Sequence, residues 1–163
     1  MGHRIPSRAS AWPWLWLSVV VVILDQLTKF WVATHLAIGE QLSLFPWLNL
    51  RIAYNTGAAF SFLGNAGGWQ IYLLSGLSLL AVVIILLWMR SVARNEYLLA
   101  IGFSLVMGGA VGNLIDRLSL GYVIDFIDFH LGAWHFATFN LADSAISVGA
   151  VLLVIHFLCD QRS

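Results

Sequence analysis

The chain is short of charge, nearly without cysteine, and free of internal repeats and low-complexity linkers. Only 10% of its 163 residues are Asp, Glu, Lys or Arg, against about a quarter in a soluble domain, which excludes an ordinary water-facing surface. Eight basic and eight acidic side chains cancel to a formal net charge of +0. That leaves no basic excess, and no nucleic-acid partner is expected. A single cysteine, Cys159, excludes an intrachain disulfide and a cysteine metal cage. Set in the last apolar run, it reads as a small buried hydrophobe. His130 and His135 lack the spacing of a metal pair on a helix, His35 and His156 read as interfacial residues, and no metal or other cofactor is expected.

What the chain has instead is apolar length: 60% of its residues are hydrophobic. A membrane helix needs roughly 20 mostly apolar residues, and residues 12–33, 69–89, 97–115 and 141–159 qualify. The first run is interrupted by Asp25 and Lys29. The fourth holds Asp143 near its start and His156 near its end, and the other two carry no ionisable residue. Arg4 and Arg8 ahead of the first run resemble a signal peptide. The run continues through Trp31 with no small-residue cleavage site, so a retained helix is expected. The expected fold is a single membrane all-α domain over residues 1–163, with four transmembrane helices, a small periplasmic β-sheet and an interfacial periplasmic segment.

Charge orients the spans. Arg4, Arg8, Arg90, Arg94 and Arg162 share one side, and Lys29, Arg51 and Arg117 the other. The positive-inside rule places both termini in the cytoplasm. The acids run the opposite way: Asp25, Glu40, Asp116, Asp125, Asp128 and Asp143 all fall at or beyond the outer helix ends. Glu40 and Asp128 read as ordinary outer-loop acids. Carboxylates at membrane depth are costly and mark function by default.

In the first outer loop, Leu48, Leu50, Ile52 and Tyr54 alternate with Trp47, Asn49, Arg51 and Ala53, the period of a strand with one apolar face. Asn55-Thr56-Gly57 signals a turn, with a return strand expected over residues 58–63. The second outer loop contains Val123-Ile124-Asp125-Phe126-Ile127-Asp128-Phe129, expected to lie along the interface as part of a segment covering the site.

Asp125 and Asp143 are the pair most suited to chemistry. If the third and fourth helices are neighbours, the two carboxylates meet where lipid gives way to water. Two close carboxyl groups share one proton, so the ionised member can take a proton from water while the other polarises a carbonyl. Asn140-Leu141-Ala142-Asp143 also reads as an N-cap with an acid at the third helical position, a role compatible with catalysis. For Asp125 the plainer alternative is a solvated loop acid. Gly108-Gly109-Ala110-Val111-Gly112 favours close helix packing. Asn113, Asp116 and Arg117 follow as a polar cluster at the helix exit, and the Arg117 guanidinium offers forked donors to a carbonyl or a lipid phosphate. Asp25 and Lys29, four residues apart, suit an ion pair on one helix face.

These segments together resemble the lipoprotein signal peptidases, or type II signal peptidases. The segments are Asp25-Gln26-Leu27-Thr28-Lys29, Asn55-Thr56-Gly57-Ala58-Ala59-Phe60, Gly108 through Arg117, Val123-Ile124-Asp125-Phe126 and Phe139-Asn140-Leu141-Ala142-Asp143-Ser144. The resemblance covers nearly the whole chain, with no departure at a motif position. It implies a monomeric aspartic endopeptidase of the bacterial inner membrane, without metal and in contact with phospholipid. Such an enzyme removes the signal peptide of diacylglyceryl-modified prolipoproteins just before the lipidated cysteine. By motif it implies Asp125 and Asp143 as catalytic dyad and Asn55, Asn113, Arg117 and Asn140 as substrate-binding positions. Asp25, Lys29, Gly57 and Asp116 become structural supports.

Other functions fit less well. A proton-coupled transporter would need ionisable residues along a path through the bilayer, which the second and third runs lack. A packing scaffold leaves the costly setting of Asp125 unexplained. The Gly-x-Gly-Asp signature of intramembrane aspartyl proteases is absent.

Overall fold

A computed structural model describes residues 10–57 and 67–160. Arg4, Arg8, Arg162, the Ala58-Ala59-Phe60 portion of the second motif and the return strand expected over residues 58–63 lie outside the described residues. A short 3-10 turn, Trp12–Trp14, leads into helix α1, Leu15–His35. Strands β1, Gln41–Phe45, and β2, Leu48–Asn55, come next. Helices α2, Trp69–Met89, and α3, Tyr97–Leu120, are followed by β3, Val123–Leu131, β4, Trp134–His135, and finally α4, Leu141–Asp160.

Each of the four helices is long and apolar enough to cross a membrane. At 1.5 Å per residue, the 21 residues of α2 span about 31 Å, the thickness of a hydrocarbon core. Leu73, Leu77, Leu80 and Leu87 of α2 and Val148, Val151 and Val154 of α4 are exposed. In water that surface would aggregate; in lipid it is the matched solvent. Cys159, expected to be buried, lies on the exposed surface of α4.

Helix α3 sits at the centre and packs on the other three. Its glycines make this possible. A Cβ on Gly108 would come within 2.8 Å of the Val21 side chain, and one on Gly112 within 2.6 Å of Asp25 Oδ2. At Gly109 it would overlap the Ala142 carbonyl. Helix α3 also runs to Leu120, past the end expected at residue 115. Asp116 and Arg117 therefore sit on its last turns rather than in an exit loop. Gly121, with φ of 81°, stops it by donating its N–H to the Arg117 carbonyl at 3.1 Å, a left-handed cap that glycine adopts without strain.

The loops between the helices build one antiparallel sheet in the order β1-β2-β3-β4. The alternating segment is β2, as its period predicts, and its residues Leu50 and Ile52 pack with Val32, Leu36 and Phe126 over the end of α1. The segment around Asp125 joins the sheet as well. It is β3, paired to β2 from Asn55–Val123 to Leu48–Phe129, because its branched and aromatic residues suit a pleated surface buried on both sides. Strand β1, shorter than β2, extends the sheet on the other edge of β2.

Candidate active site

The polar residues inside the bundle gather at the end that carries the sheet. Lys29 Nζ is 2.8 Å from Asp25 and 2.8 Å from Asp116, and donates to Asn113 Oδ1 at 3.1 Å. All four side chains are buried. The i,i+4 spacing of Asp25 and Lys29 supplies the first pair; close packing of α1 on α3 supplies the second. The surplus negative charge is met by hydrogen bonds. Gln26 Nε2 donates to Asp116 at 2.9 Å and to Asp25 at 3.2 Å. Asp25 accepts the Ala142 N–H at 2.9 Å, and Asp116 accepts the Ile124 N–H at 3.1 Å. Ala142 precedes Asp143 and Ile124 precedes Asp125, so the two acids paired with Lys29 each clamp the residue beside one of the other two. Sequence alone assigns no role to Gln26; its only signal there is a polar side chain in an apolar run.

Asp143 lies in the first turn of α4, half-buried. Its backbone N–H donates to Asn140 Oδ1 at 2.9 Å, and its Oδ2 accepts the Asn140 N–H at 3.3 Å. This is the reciprocal capping pair the sequence implies. Its Oδ1 accepts from Asn113 Nδ2 at 2.8 Å. Asp125, buried on β3, accepts from Asn140 Nδ2 at 2.7 Å and from Asn55 Nδ2 at 2.9 Å. The Asn140 amide also donates to Asn113 Oδ1 at 3.1 Å. The two carboxylates are thus joined through two asparagine amides whose orientations are fixed. Lys29 and Asn140 occupy Asn113 Oδ1, which leaves its Nδ2 to face Asp143. Among the described residues, no Lys, Arg or His forms an ion pair with Asp125 or Asp143.

This arrangement perturbs Asp125. Burial, reinforced by the neighbouring negative charge of Asp143, outweighs the asparagine hydrogen bonds and the charge of Lys29, and pushes its carboxyl up to about 7.

A cavity of about 780 Å³ opens from these carboxylates. Its polar end is formed by Asn55, Asn113, Arg117, Asp125 and Asp143. Leu74, Leu77 and Ala81 of α2, Val106 and Ala110 of α3, and Ile146 of α4 carry it on into the apolar part of the bundle. Residues Phe136 to Phe139 close a further side. Arg117 reaches across to the Gly57 carbonyl at 3.4 Å, and Gly57 donates its N–H to Asn55 Oδ1 at 2.9 Å, the Asx turn implied by Asn-Thr-Gly. Asn140 is fully buried behind the carboxylates and is not part of the cavity wall.

One sequence expectation changes. Asp128 is no solvated acid: it is fully buried, 2.9 Å from His135 Nδ1 and 3.4 Å from Arg51 Nε. Burial alone would raise its carboxyl, but hydrogen bonds from His135 and Asn49 and the charge of Arg51 hold it below the usual range. Glu40 stays exposed and accepts the Ala37 N–H at 2.9 Å. No group of three or more His, Cys, Asp or Glu arranged to hold a metal occurs among the described residues.

Known proteins share this sequence and this architecture. A family model described as signal peptidase (SPase) II matches residues 17–159. The lipoprotein signal peptidase of Coxiella burnetii is 52% identical over 153 residues, covering 94% of each chain. That of Cronobacter sakazakii is 49% identical over 151 residues, covering 93% of this chain and 92% of its own. Among solved structures, a bacterial membrane enzyme determined by the in meso method at 2.3 Å superposes with a TM-score of 0.82 and 31% identity. The alignment covers 91% of this chain and 89% of that one.

Proposed function

The chain belongs to the signal peptidase II family and removes signal peptides from prolipoproteins, and from that premise we propose that Asp125 and Asp143 are its catalytic dyad. One observation carries the assignment: these two acids face the cavity and accept from asparagine side chains, and no described Lys, Arg or His forms an ion pair with either. Asp125, with its carboxyl near 7, holds the proton. Asp143, at the positive end of α4, takes a proton from water as the water oxygen attacks the scissile carbonyl carbon. The Asp125 O–H donates to the carbonyl oxygen and stabilises the negative charge that develops there. Collapse of the tetrahedral intermediate breaks the C–N bond, and the leaving nitrogen takes the proton that Asp143 had accepted.

The cavity fits the rest of the substrate. Asn55, Asn113 and Arg117 offer amide and guanidinium donors to the peptide, and the apolar reach between α2, α3 and α4 suits a diacylglyceryl group beside the scissile bond. Cleavage then falls just before the lipidated cysteine. Asn140 works from behind, holding Asp125 and Asn113. The enzyme is a multi-pass membrane protein. Its charge distribution supports a bacterial inner-membrane location with cytoplasmic termini and a periplasmic site, where phospholipid meets the exposed helices. The proposed enzyme is one domain acting as a monomer.

The test is gel-shift cleavage of a diacylglyceryl-modified precursor by the purified enzyme. Asp125→Asn and Asp143→Asn should each lower kcat by about 10³-fold or more, with both variants still unfolding cooperatively. Substantial turnover by either variant would sink the dyad.

A further inference from the structure

The polar cluster around Asp128 takes no part in the chemistry above, yet it ends on the cavity wall. Asp128 accepts from Asn49 Nδ2 at 3.3 Å and from His135 Nδ1 at 2.9 Å. Arg51 Nε stands 3.4 Å away, an ion-pair contact rather than an aligned hydrogen bond. The other arm of the guanidinium, Nη2, donates to Thr138 Oγ1 at 3.0 Å. Thr138 lines the cavity between Phe136 and Phe139.

Strand register explains why Arg51 reaches there. Between the pairs Leu50–Ile127 and Ala53–Asp125, β2 carries one residue more than β3, so Arg51 and Ile52 share the place opposite Phe126. Bulges of this kind re-aim a side chain beside functional sites. The wall itself is anchored by backbone at both ends. Phe136 donates its N–H to the Phe129 carbonyl at 2.9 Å, and the Phe139 carbonyl accepts the N–H groups of Phe126 at 3.0 Å and Ile127 at 2.8 Å. Between those anchors the Thr138 hydroxyl is tied to β2 through Arg51.

We propose that Arg51 is a positioning residue for substrate binding: braced by the buried Asp128, it fixes Thr138 and with it the stretch 136–139 that forms one wall of the cavity. This rests on the cavity being the substrate site, as proposed above. Arg51 acts through Thr138 and not on the reacting atoms, so its loss is felt in binding, with KM raised and kcat kept.

The full-length enzyme and the lipidated-precursor assay supply the test. Arg51→Gln and Thr138→Val should each raise KM about 10-fold, the effect of one charge-assisted hydrogen bond, and leave kcat within about twofold. Thr138→Ser keeps the acceptor and should restore the parental KM. Because the two side chains act in series, the double variant Arg51→Gln/Thr138→Val should be no worse than either single change. If Arg51→Gln does not fold, Arg51→Lys replaces it, since an ammonium beside Asp128 has no fork to reach Thr138 as well. Unchanged KM in folded single variants would overturn the proposal, and so would effects that multiply in the double variant. The dyad stands or falls separately, on kcat of Asp125→Asn, while KM is read with both aspartates intact.

Discussion

Two pairs of acids lie side by side in this bundle, and they are solved differently. Asp25 and Asp116 flank Lys29 at 2.8 Å each, with backbone and glutamine donors taking up what charge remains. Asp125 and Asp143 have asparagine amides instead. A buried acid paired with a cation serves to hold structure, since losing its partner is costly. A buried acid that meets only neutral donors keeps the option of carrying a proton. The first group therefore serves the second: Asp25 grips Ala142 and Asp116 grips Ile124, each one residue from a member of the proposed dyad.

Removing the cation breaks this division most severely. Lys29→Met leaves Asp25 and Asp116 buried without their counter-charge, and it takes from Asn113 Oδ1 one of its two donors. Loss of one partner of a buried ion pair costs about 3–5 kcal/mol, so thermal unfolding in lipid or detergent should shift down sharply and activity should fall with it. Lys29→Met with parental stability would mean that the two groups do not differ in the way described.

A smaller blow to the same group comes from Gly112→Ala. The new methyl would stand 2.6 Å from Asp25 Oδ2, too close for the carboxylate to keep its place between Lys29 and Ala142. Overpacking of this kind costs about 1–3 kcal/mol. Gly76→Ala, on α2 with open space around it, is the matched control and should not destabilise. Equal unfolding temperatures for the two variants would contradict the close approach of α1 and α3.

Much of this division is legible in the residues themselves, and the line between legible and hidden is physical. The spans follow from apolar length, and the capping pair of Asn140 and Asp143 follows from local spacing; both are short-range signals. The i,i+4 pair of Asp25 and Lys29 is equally local, but its second carboxylate, Asp116, is 87 residues beyond Lys29 and arrives only through tertiary packing. Asp128 resembles a solvated acid in sequence because its partners Asn49, Arg51 and His135 come from other strands, and no local pattern marks a residue for cross-strand burial. Strand β3 is hidden for a related reason. Its acids interrupt an apolar run without strict alternation, which suits both a lipid-facing segment and a doubly covered strand.

The gentlest test concerns protons. Asp125 has an ordinary carboxyl value of 3.8 when unfolded and about 7 in the folded protein. Between those values the folded state binds a proton that the unfolded state has lost, so stability contributed by this group falls as pH rises through that window and levels off above it. The slope is at most about 1.4 kcal/mol per pH unit for one proton. Asp125→Asn should abolish it, seen as unfolding temperature against pH for parent and variant. Asp143→Asn separates the two causes of the shift. It removes the neighbouring negative charge but leaves burial, the larger of the two, in place. The upper edge of the window should move below 7 while staying above 3.8. An edge that does not move would mean that the two carboxylates do not sense each other, and the proposed sharing of one proton would fail with it.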